Sequence, residues 1–432
     1  MFNYLKQIWA SKSLRNKILF TLAILVVYRF LAHITVPGAS VEALNQLTSR
    51  NELLQIFSLL TGGGAENFSI ILMGLSPYIN ASIIMQLLTV VVPKFEELNK
   101  EGEQGRRKMN QYTRWLTIPL AFVQSYGMIL ILNHQAQGVP IISEIGNPAV
   151  VLPIMLSITA GTVLLVWLGE LISEYGIGNG ISMIIFASIV TTIPPLLAQT
   201  LFLASQDESK LIPFIFTVLI TVILLIFVVL VTEGERRIPL TYAGRSAQKG
   251  QQAYLPIKVN QVGMIPIIFA VAMVTFPGIL GQFMQAAKSE GLRAFGESLT
   301  SIFSPNTMTY LVSFFLLIFG FTYFYVAITF NPKQVAENIQ KRGGYVPGMR
   351  PGEQTEKYLD TTSKRLTFFG GLFIAFIGVS PMLIQFVFDT SAVGSVPLLI
   401  SGAGLLIIVG VVLELIRQIN AQLVMHDYKK FY

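Results

Sequence analysis

Long apolar stretches alternate with polar connections along this chain of 432 residues. Each stretch is about 20 residues long, the length that an α-helix needs to cross ~30 Å of hydrocarbon. They predict membrane spans at residues 18–36, 68–92, 115–132, 150–172, 181–203, 212–231, 262–284, 308–330, 366–388 and 396–416. The hydrophobic pattern therefore predicts an all-α polytopic membrane protein with ten transmembrane helices.

Lysine and arginine are concentrated on alternate connections between these spans. Of 30 such residues, 25 lie in the first 17 residues, at 94–114, 233–258 and 331–365, or in the tail from Arg417. Because an excess of Lys and Arg marks the cytoplasmic side, both termini and the three internal basic regions are expected to face the cytoplasm. A basic surface of this kind attracts anionic membrane lipids, RNA and acidic proteins.

Composition narrows the class of protein further. The chain is 53% hydrophobic and 12% charged, too apolar for a soluble domain of this size. The absence of cysteine excludes disulfides and thiolate metal sites. The three histidines are far apart in sequence, and the chain has no H-E-x-x-H, Walker A or cysteine-based catalytic motif. We therefore predict neither an enzyme nor a metal or cofactor site.

Two further features bear on phosphate binding and on coupled transport. Glycines at 176, 178 and 180 join two spans and follow no strand, which favours a tight cytoplasmic turn over a phosphate-binding loop. Coupled transporters usually need carboxylates inside the membrane, where such groups are costly. Glu170, Glu174 and Glu414 lie only near the ends of their spans. A five-plus-five secondary transporter is therefore the alternative function, and it is disfavoured.

Ten spans divide into two halves of five, residues 1–205 and 206–432, hinged at the connection 204–211. An odd number of spans in each half makes the second half inverted relative to the first, and inverted repeats place the working site between the halves. The sequence G-x-x-P-x-I occurs at 74–79 and again at 263–268, in the spans that would correspond. Two unrelated proline kinks are the other explanation of this match.

A polar insert precedes the second span. Residues 56–60 form a short apolar helix candidate, followed by three glycines at 62–64 and then by Phe68. The segment is too short to cross the membrane. It is either a re-entrant segment, which must line a cavity or be buried in protein, or an amphipathic helix on the outer surface.

Several long motifs carry a specific resemblance to a known family. They are M-G-L-S-P-Y-I-N-A-S-I-I at 73–84, K-E-G-E-Q-G-R-R-K at 100–108, W-L-G-E at 167–170 with G-I-G-N-G-I-S at 176–182, and Y-V-P-G-M-R-P-G-E-Q-T at 345–355. With these motifs in this order, the chain resembles the SecY family, the central channel subunits of the Sec protein translocase, over essentially its whole length. The last motif is typical of the bacterial branch.

The resemblance implies a channel that moves unfolded secretory polypeptides across the bacterial cytoplasmic membrane and releases membrane-protein segments laterally into lipid. It implies SecE and SecG as small membrane partners, SecA or a translating ribosome as the driving partner, and signal peptides and unfolded precursors as cargo. The cytoplasmic loops 233–261 and 331–365 of the second half become docking surfaces.

The resemblance also assigns roles to individual residues of the pore. A midplane ring of branched apolar side chains, which excludes ions by dewetting yet parts around a polypeptide, consists of Leu75, Ile79, Ile181, Ile185, Ile268 and Ile407. Segment 56–68 corresponds to the re-entrant plug helix that seals the ring, with the residues Ile56, Phe57, Leu59, Leu60, Gly63 and Phe68. Without the resemblance, each ring residue would be assigned to ordinary packing.

Spans two and three facing spans seven and eight resemble the family's lateral gate. Its polar cluster is Gln86, Gln124 and Asn260, and bonding within its own neighbourhood is the alternative for each. A rise of 1.5 Å per residue puts Asn80 and Phe276 at comparable depths on the second and seventh spans, roughly 12–15 Å below the outer surface.

The basic loops supply the residues implied to contact SecA or ribosomal RNA. These residues are Arg236, Arg237, Arg245, Lys249, Lys258 and Arg350. Proline and glycine around Arg350 limit the freedom of its backbone, so that its guanidinium is expected to have a fixed position. Enforcement of topology alone is the other explanation of these charges, and it is compatible with docking.

Overall fold

The computed structural model describes residues 6, 8–37, 68–135, 142, 147–206, 208–242, 253–285, 289–304, 307–387 and 401–430. Before the first strand, the helices are α1 (Lys12–Leu31), α2 (Ser76–Val91), α3 (Pro93–Lys100), α4 (Glu103–Gln135), α5 (Pro148–Tyr175), α6 (Gly180–Gln206) and α7 (Glu208–Glu233). Then come β1 (Glu235–Tyr242), β2 (Ala253–Lys258), α8 (Ile265–Gln285), α9 (Glu290–Ile302), α10 (Met308–Thr329), α11 (Pro332–Lys341), β3 (Gly344–Tyr345), α12 (Glu353–Val387) and α13 (Gly402–Lys430).

The helices confirm the prediction of an all-α polytopic membrane protein. Among the described residues, seven helices are long and apolar enough to cross a membrane: α5, α6, α7, α8, α10, α12 and α13. Each of them overlaps one of the predicted spans four to ten. Helices α1 and α4 occupy the positions of the first and third predicted spans, and α2 is a shorter apolar helix within the second.

The predicted start of the second span at Phe68 is wrong, because α2 begins only at Ser76. Residues 68–75 form turns, and Phe68 and Gly74 have φ angles of 42° and 53°. Positive φ angles interrupt a right-handed helix. This irregular segment is hydrogen-bonded to the end of α1 and to the residues that follow it. The Val36 N–H donates to the Phe68 carbonyl oxygen (2.9 Å), and the Ser69 hydroxyl donates to the Leu31 carbonyl oxygen (2.8 Å). These bonds satisfy polar backbone that hydrocarbon would leave unpaired.

The chain packs as two compact units. The first comprises the described parts of Met1–Phe202, Ala272–Tyr310 and Val411–Tyr432. Its main apolar cluster contains Phe68 and Leu72 together with buried residues of α4 and α5 such as Ile129 and Ile158. A Cβ at Gly161 would lie 1.9 Å from the Ile70 carbonyl oxygen, so that glycine allows α5 to touch the irregular segment directly.

The second unit comprises the described parts of Leu203–Val271 and Leu311–Gly410. It contains a three-stranded antiparallel sheet in the order β2-β1-β3, where Glu235 pairs with Lys258 and Thr241 pairs with Tyr345. Sequence patterns did not predict this sheet, because region 233–258 stands out only by its basic residues. The proposed division into inverted halves at 205/206 stays a prediction.

Candidate functional site

The two copies of G-x-x-P-x-I have the same local structure. Gly74 and Gly263 both adopt positive φ angles, 53° and 69°, that favour glycine. A helix starts two residues later in each case, at Ser76 and at Ile265, with proline as its second residue. Proline fits the first turn of a helix because its missing N–H would have no partner there. At both positions the motif thus begins a helix rather than kinking one.

Two of the proposed ring residues in the first unit lie together. Leu75, the residue before α2, and Ile185 of α6 line one small cavity of about 10 Å³. Tyr28 of α1 and Ser188 of α6 line the same cavity, and both are buried. These two polar residues were missed by the sequence analysis, since single tyrosine and serine residues inside apolar spans gave no pattern. Both therefore lie beside two of the proposed ring residues.

The other four ring residues lie on four helices. Ile79 is half-buried on α2 and Ile181 is half-buried in the first turn of α6. In the second unit, Ile268 is half-buried near the start of α8, and Ile407 is buried on α13. The six-membered ring stays a prediction.

The G-x-G-x-G turn before α6 is held by side chains from two other helices. The Ile177 N–H donates to Thr21 Oγ1 of α1 (3.1 Å), and the Gly178 N–H donates to Gln418 Oε1 of α13 (2.8 Å). Gly178 has a φ of 85°, and a Cβ at Gly180 would lie 1.7 Å from the Gly169 carbonyl oxygen. The N–H groups are therefore occupied within the protein, which supports the interpretation as a tight turn and sets where α6 begins.

We expect Gln418→Leu to destabilise this turn, because the part-buried Gly178 N–H loses its acceptor. An unpaired buried donor costs about 1–3 kcal/mol. The purified protein should therefore unfold at a lower temperature. The measurement is fluorescence-detected size-exclusion chromatography after heating in detergent, which reports how much folded protein remains. Gln422→Leu makes the same change about one turn later on α13 and is the matched control, with a melting temperature close to wild type. Equal melting temperatures for all three proteins would show that the contact does not hold the turn.

Two of the proposed gate residues form hydrogen bonds with groups close to them in sequence. Gln86 Nε2 donates to Ser82 Oγ on the same helix (3.0 Å), and Asn260 Oδ1 accepts from the Gly263 N–H (2.8 Å) at the start of α8. Gln124 has a buried Oε1 without a hydrogen-bond partner among the described residues. Asn80 is half-buried and Phe276 is exposed. Gln86 and Asn260 thus bond within their own neighbourhoods, which is the alternative that the sequence left open. The polar cluster stays a prediction.

Phe68 is the described residue of the proposed plug. It is fully buried in the apolar cluster of the first unit and has a backbone φ of 42°. The remaining plug residues, Ile56, Phe57, Leu59, Leu60 and Gly63, lie outside the described residues. The chain that follows the insert is thus packed into this apolar cluster at Phe68.

Two basic regions that are separate in sequence build one platform, formed by strands β1–β3, helix α11 and the first turns of α12. Its apolar core contains buried residues from each part: Ile238, Leu240, Ile257, Ala336, Ile339, Val346 and Leu359. Strand β1 turns Ile238 and Leu240 inward, while Arg237 and Pro239 are exposed. The platform therefore presents basic side chains on a packed support rather than on free loops.

Arg350 lies in a constrained loop at the edge of this platform. Its N–H donates to Gln354 Oε1 (3.2 Å), and its carbonyl accepts from the Thr355 hydroxyl (3.1 Å). Gly348 and Gly352 flank it with φ angles of 83° and 97°. The Arg350 side chain is exposed. The backbone is thus fixed from both sides while the residue faces outward.

The other docking residues differ in their surroundings. Arg237 Nε donates to Glu235 Oε1 (2.7 Å), and its guanidinium lies 5.0 Å from the centre of the Tyr254 ring. The hydrogen bond to Glu235 raises the pKa of Arg237 further above its ordinary value, so that the group stays charged. Arg236 is exposed and Lys258 is half-buried. Arg245 and Lys249 lie outside the described residues.

Comparison with known proteins identifies the family. The family model described as SecY matches residues 69–416. Proteins named protein translocase subunit SecY, from Staphylococcus epidermidis (strain ATCC 35984) and Staphylococcus aureus (strain NCTC 8325), are each 40% identical over 100% of this chain and 99% of the relative.

Solved structures share the fold. A protein-conducting channel aligns with a TM-score of 0.67 at 22% identity, covering 95% of this chain and 93% of its own. Sec61 in the canine ribosome–channel complex from the endoplasmic reticulum gives a TM-score of 0.66 at 22% identity, with the same coverage. Family match, full-length identity and shared fold agree with one another, and this chain belongs to the SecY family.

Proposed function

We propose that this multi-pass membrane protein is the channel subunit of a bacterial translocase. It moves unfolded secretory polypeptides across the cytoplasmic membrane and releases membrane-protein segments laterally into lipid. The observation that carries the proposal is the 40% identity to protein translocase subunits across the whole chain. It agrees with the fold, which is that of a protein-conducting channel.

The proposed constriction is formed by Leu75, Ile79, Ile181, Ile185, Ile268 and Ile407. Its support is chemical and local. All six side chains are branched and apolar, as dewetting requires, and Leu75 and Ile185 line one cavity. The segment 56–68 acts as the plug and is attached at the buried Phe68.

The platform is the proposed docking surface for SecA or a translating ribosome, with Arg350 at its edge. The fixed backbone and exposed side chain of Arg350 suit a contact with an acidic protein or with ribosomal RNA. A shared fold with Sec61 of a ribosome–channel complex is compatible with this assignment. SecE and SecG are the proposed membrane partners, and anionic lipids contact the basic regions. The platform and both termini then face the cytoplasm.

The channel is proposed to be passive, without catalysis or ion coupling. Glu170, a carboxylate near the end of a span, forms an ion pair with Arg114 (Nε to Oε1, 2.8 Å). This pair joins α4 to the last turns of α5 and gives the carboxylate a structural partner. Glu170 therefore gives no support to the secondary-transporter alternative.

Reconstitution separates the two functions. The purified chain with SecE and SecG is placed in vesicles, and SecA, ATP and an unfolded precursor are added outside. We expect the precursor to become protected from protease in an ATP-dependent manner, while amino acids and sugars show no gradient-driven uptake. Gradient-driven solute uptake without precursor protection would establish the transporter instead.

A further inference from the structure

Helix α9 (Glu290–Ile302) lies between membrane helices α8 and α10 and was not predicted from the sequence. Its large apolar residues fall on one side. At 3.6 residues per turn they cover an arc of about 80°, and they are Leu292, Phe295, Leu299 and Ile302. Charged and hydroxyl residues occupy the other side, namely Glu290, Arg293, Glu297 and Ser301. Such a division is typical of a helix at a boundary between water and an apolar phase.

The apolar side is exposed within its unit. Leu292, Phe295 and Ile302 expose 47%, 56% and 46% of their surface. On the polar side, Arg293 Nε lies 3.4 Å from Glu297 Oε1, with both side chains about 60% exposed as in water. A cluster of three large apolar side chains on one helix face indicates a contact surface rather than scattered surface residues.

Two glycines fix α9 against the end of α8. A Cβ at Gly296 would lie 2.5 Å from the Gly281 carbonyl oxygen, and a Cβ at Gly281 would lie 2.8 Å from that of Gly296. Gln285 Nε2 donates to Thr300 Oγ1 across the same crossing (2.9 Å). Backbone-to-backbone contact of this kind is possible only with glycine and prevents α9 from moving far from the end of the span.

The position of α9 decides which partner covers its apolar face. Chain connections of only a few residues hold it at the ends of α8 and α10, and therefore at the membrane surface. The last turns of α8 expose Leu280 and Phe283, which belong to a membrane-spanning helix. Large apolar side chains are therefore exposed on both helices near the crossing of α9 with a helix that is long and apolar enough to span the membrane.

We propose that α9 is an interfacial helix whose face of Leu292, Phe295 and Ile302 is immersed in the bilayer at the end of the seventh span. Helices of this class sink about 5–10 Å into the boundary between headgroups and acyl chains. With two glutamates and one arginine, α9 carries no net positive charge to attract anionic lipid. Its insertion therefore depends on apolar burial and on attachment to α8, and not on the charge of the lipid.

Because the chain lacks cysteine, single probes can test this directly. Phe295→Cys and Leu292→Cys report the apolar face, and Ser301→Cys on the polar side is the matched control. Each full-length variant is labelled with an environment-sensitive fluorophore and reconstituted in phosphatidylcholine vesicles, with or without phosphatidylglycerol. Quenching is measured with iodide in water and with lipids that carry a nitroxide near the headgroup.

The probes at 292 and 295 should emit at shorter wavelength, be quenched by the nitroxide lipids and be several-fold less sensitive to iodide than the probe at 301. The result should be the same in both lipid mixtures. Equal iodide quenching at all three positions would place α9 in water and overturn the proposal. Protection of 292 and 295 from both quenchers would also overturn it, because a protein would then cover the face.

Discussion

Replacing Arg350 with glutamate is expected to lower SecA-driven transport by at least about tenfold, since a like-charge contact costs several kcal/mol. The loop should keep its shape, because its anchoring bonds use the backbone of Arg350 and the side chains of Gln354 and Thr355. The measurement is ATP-dependent protection of a precursor in vesicles at limiting SecA. Normal protein yield and thermal stability would show that the loss is one of docking.

Lys357→Glu is the matched control for Arg350→Glu. It makes the same change in net charge on an exposed residue in the following helix α12. We expect a much smaller loss of transport, since Lys357 is not presented by the constrained loop. If both variants lose transport equally, bulk charge of the platform governs docking and the specific role of Arg350 is wrong.

Polar substitution in the proposed ring is expected to open the channel to ions. Ile407→Arg and Ile268→Asn introduce groups that recruit water into an apolar constriction and weaken its closed state. A destabilisation of about 2 kcal/mol, the cost of burying an unpaired polar group, raises the open population roughly thirtyfold. Single-channel recording in planar bilayers should show this increase, and precursors with weakened signal sequences should pass more readily.

Ile407→Leu and Ile268→Leu are the controls for the ring, because they keep volume and apolarity and should keep the channel closed. Wild-type conductance and wild-type signal selectivity in both polar variants would show that Ile268 and Ile407 do not form the constriction. Loss of folded protein is monitored separately by its elution in detergent, since Ile407 is buried.

The sequence predicted the long helices well but placed the second span too early. Residues 68–75 are as apolar as a membrane helix, so hydropathy could not separate them from α2. The signal that could have done so was the Gly74–Pro77 spacing, which combines a left-handed glycine with a proline in the first helical turn. Local backbone chemistry overrode the apolar pattern at this position.

Local sequence patterns could not predict the platform or the ring, and the reasons differ. Strand β1 pairs with β3, a strand of two residues about 100 positions later that is too short to show a pattern. Ile238 and Leu240 alternate with exposed residues in β1, but Pro239 between them argues against a strand inside a sheet. Ring residues such as Ile185 have the same composition as packing residues on the same helix, and only the resemblance distinguished them. Helix α9, by contrast, has an apolar spacing that could have been read as amphipathic.

The long-range pairing in the platform has a consequence for biosynthesis. Strands β1 and β2 are made early, but the core also needs Ala336 and Leu359. Because the ribosome makes the chain from its N-terminus, helices α8 and α10 are synthesised before these residues emerge. A partly made copy therefore lacks the finished support for Arg350, so that the proposed docking surface forms only after the eighth predicted span has been made.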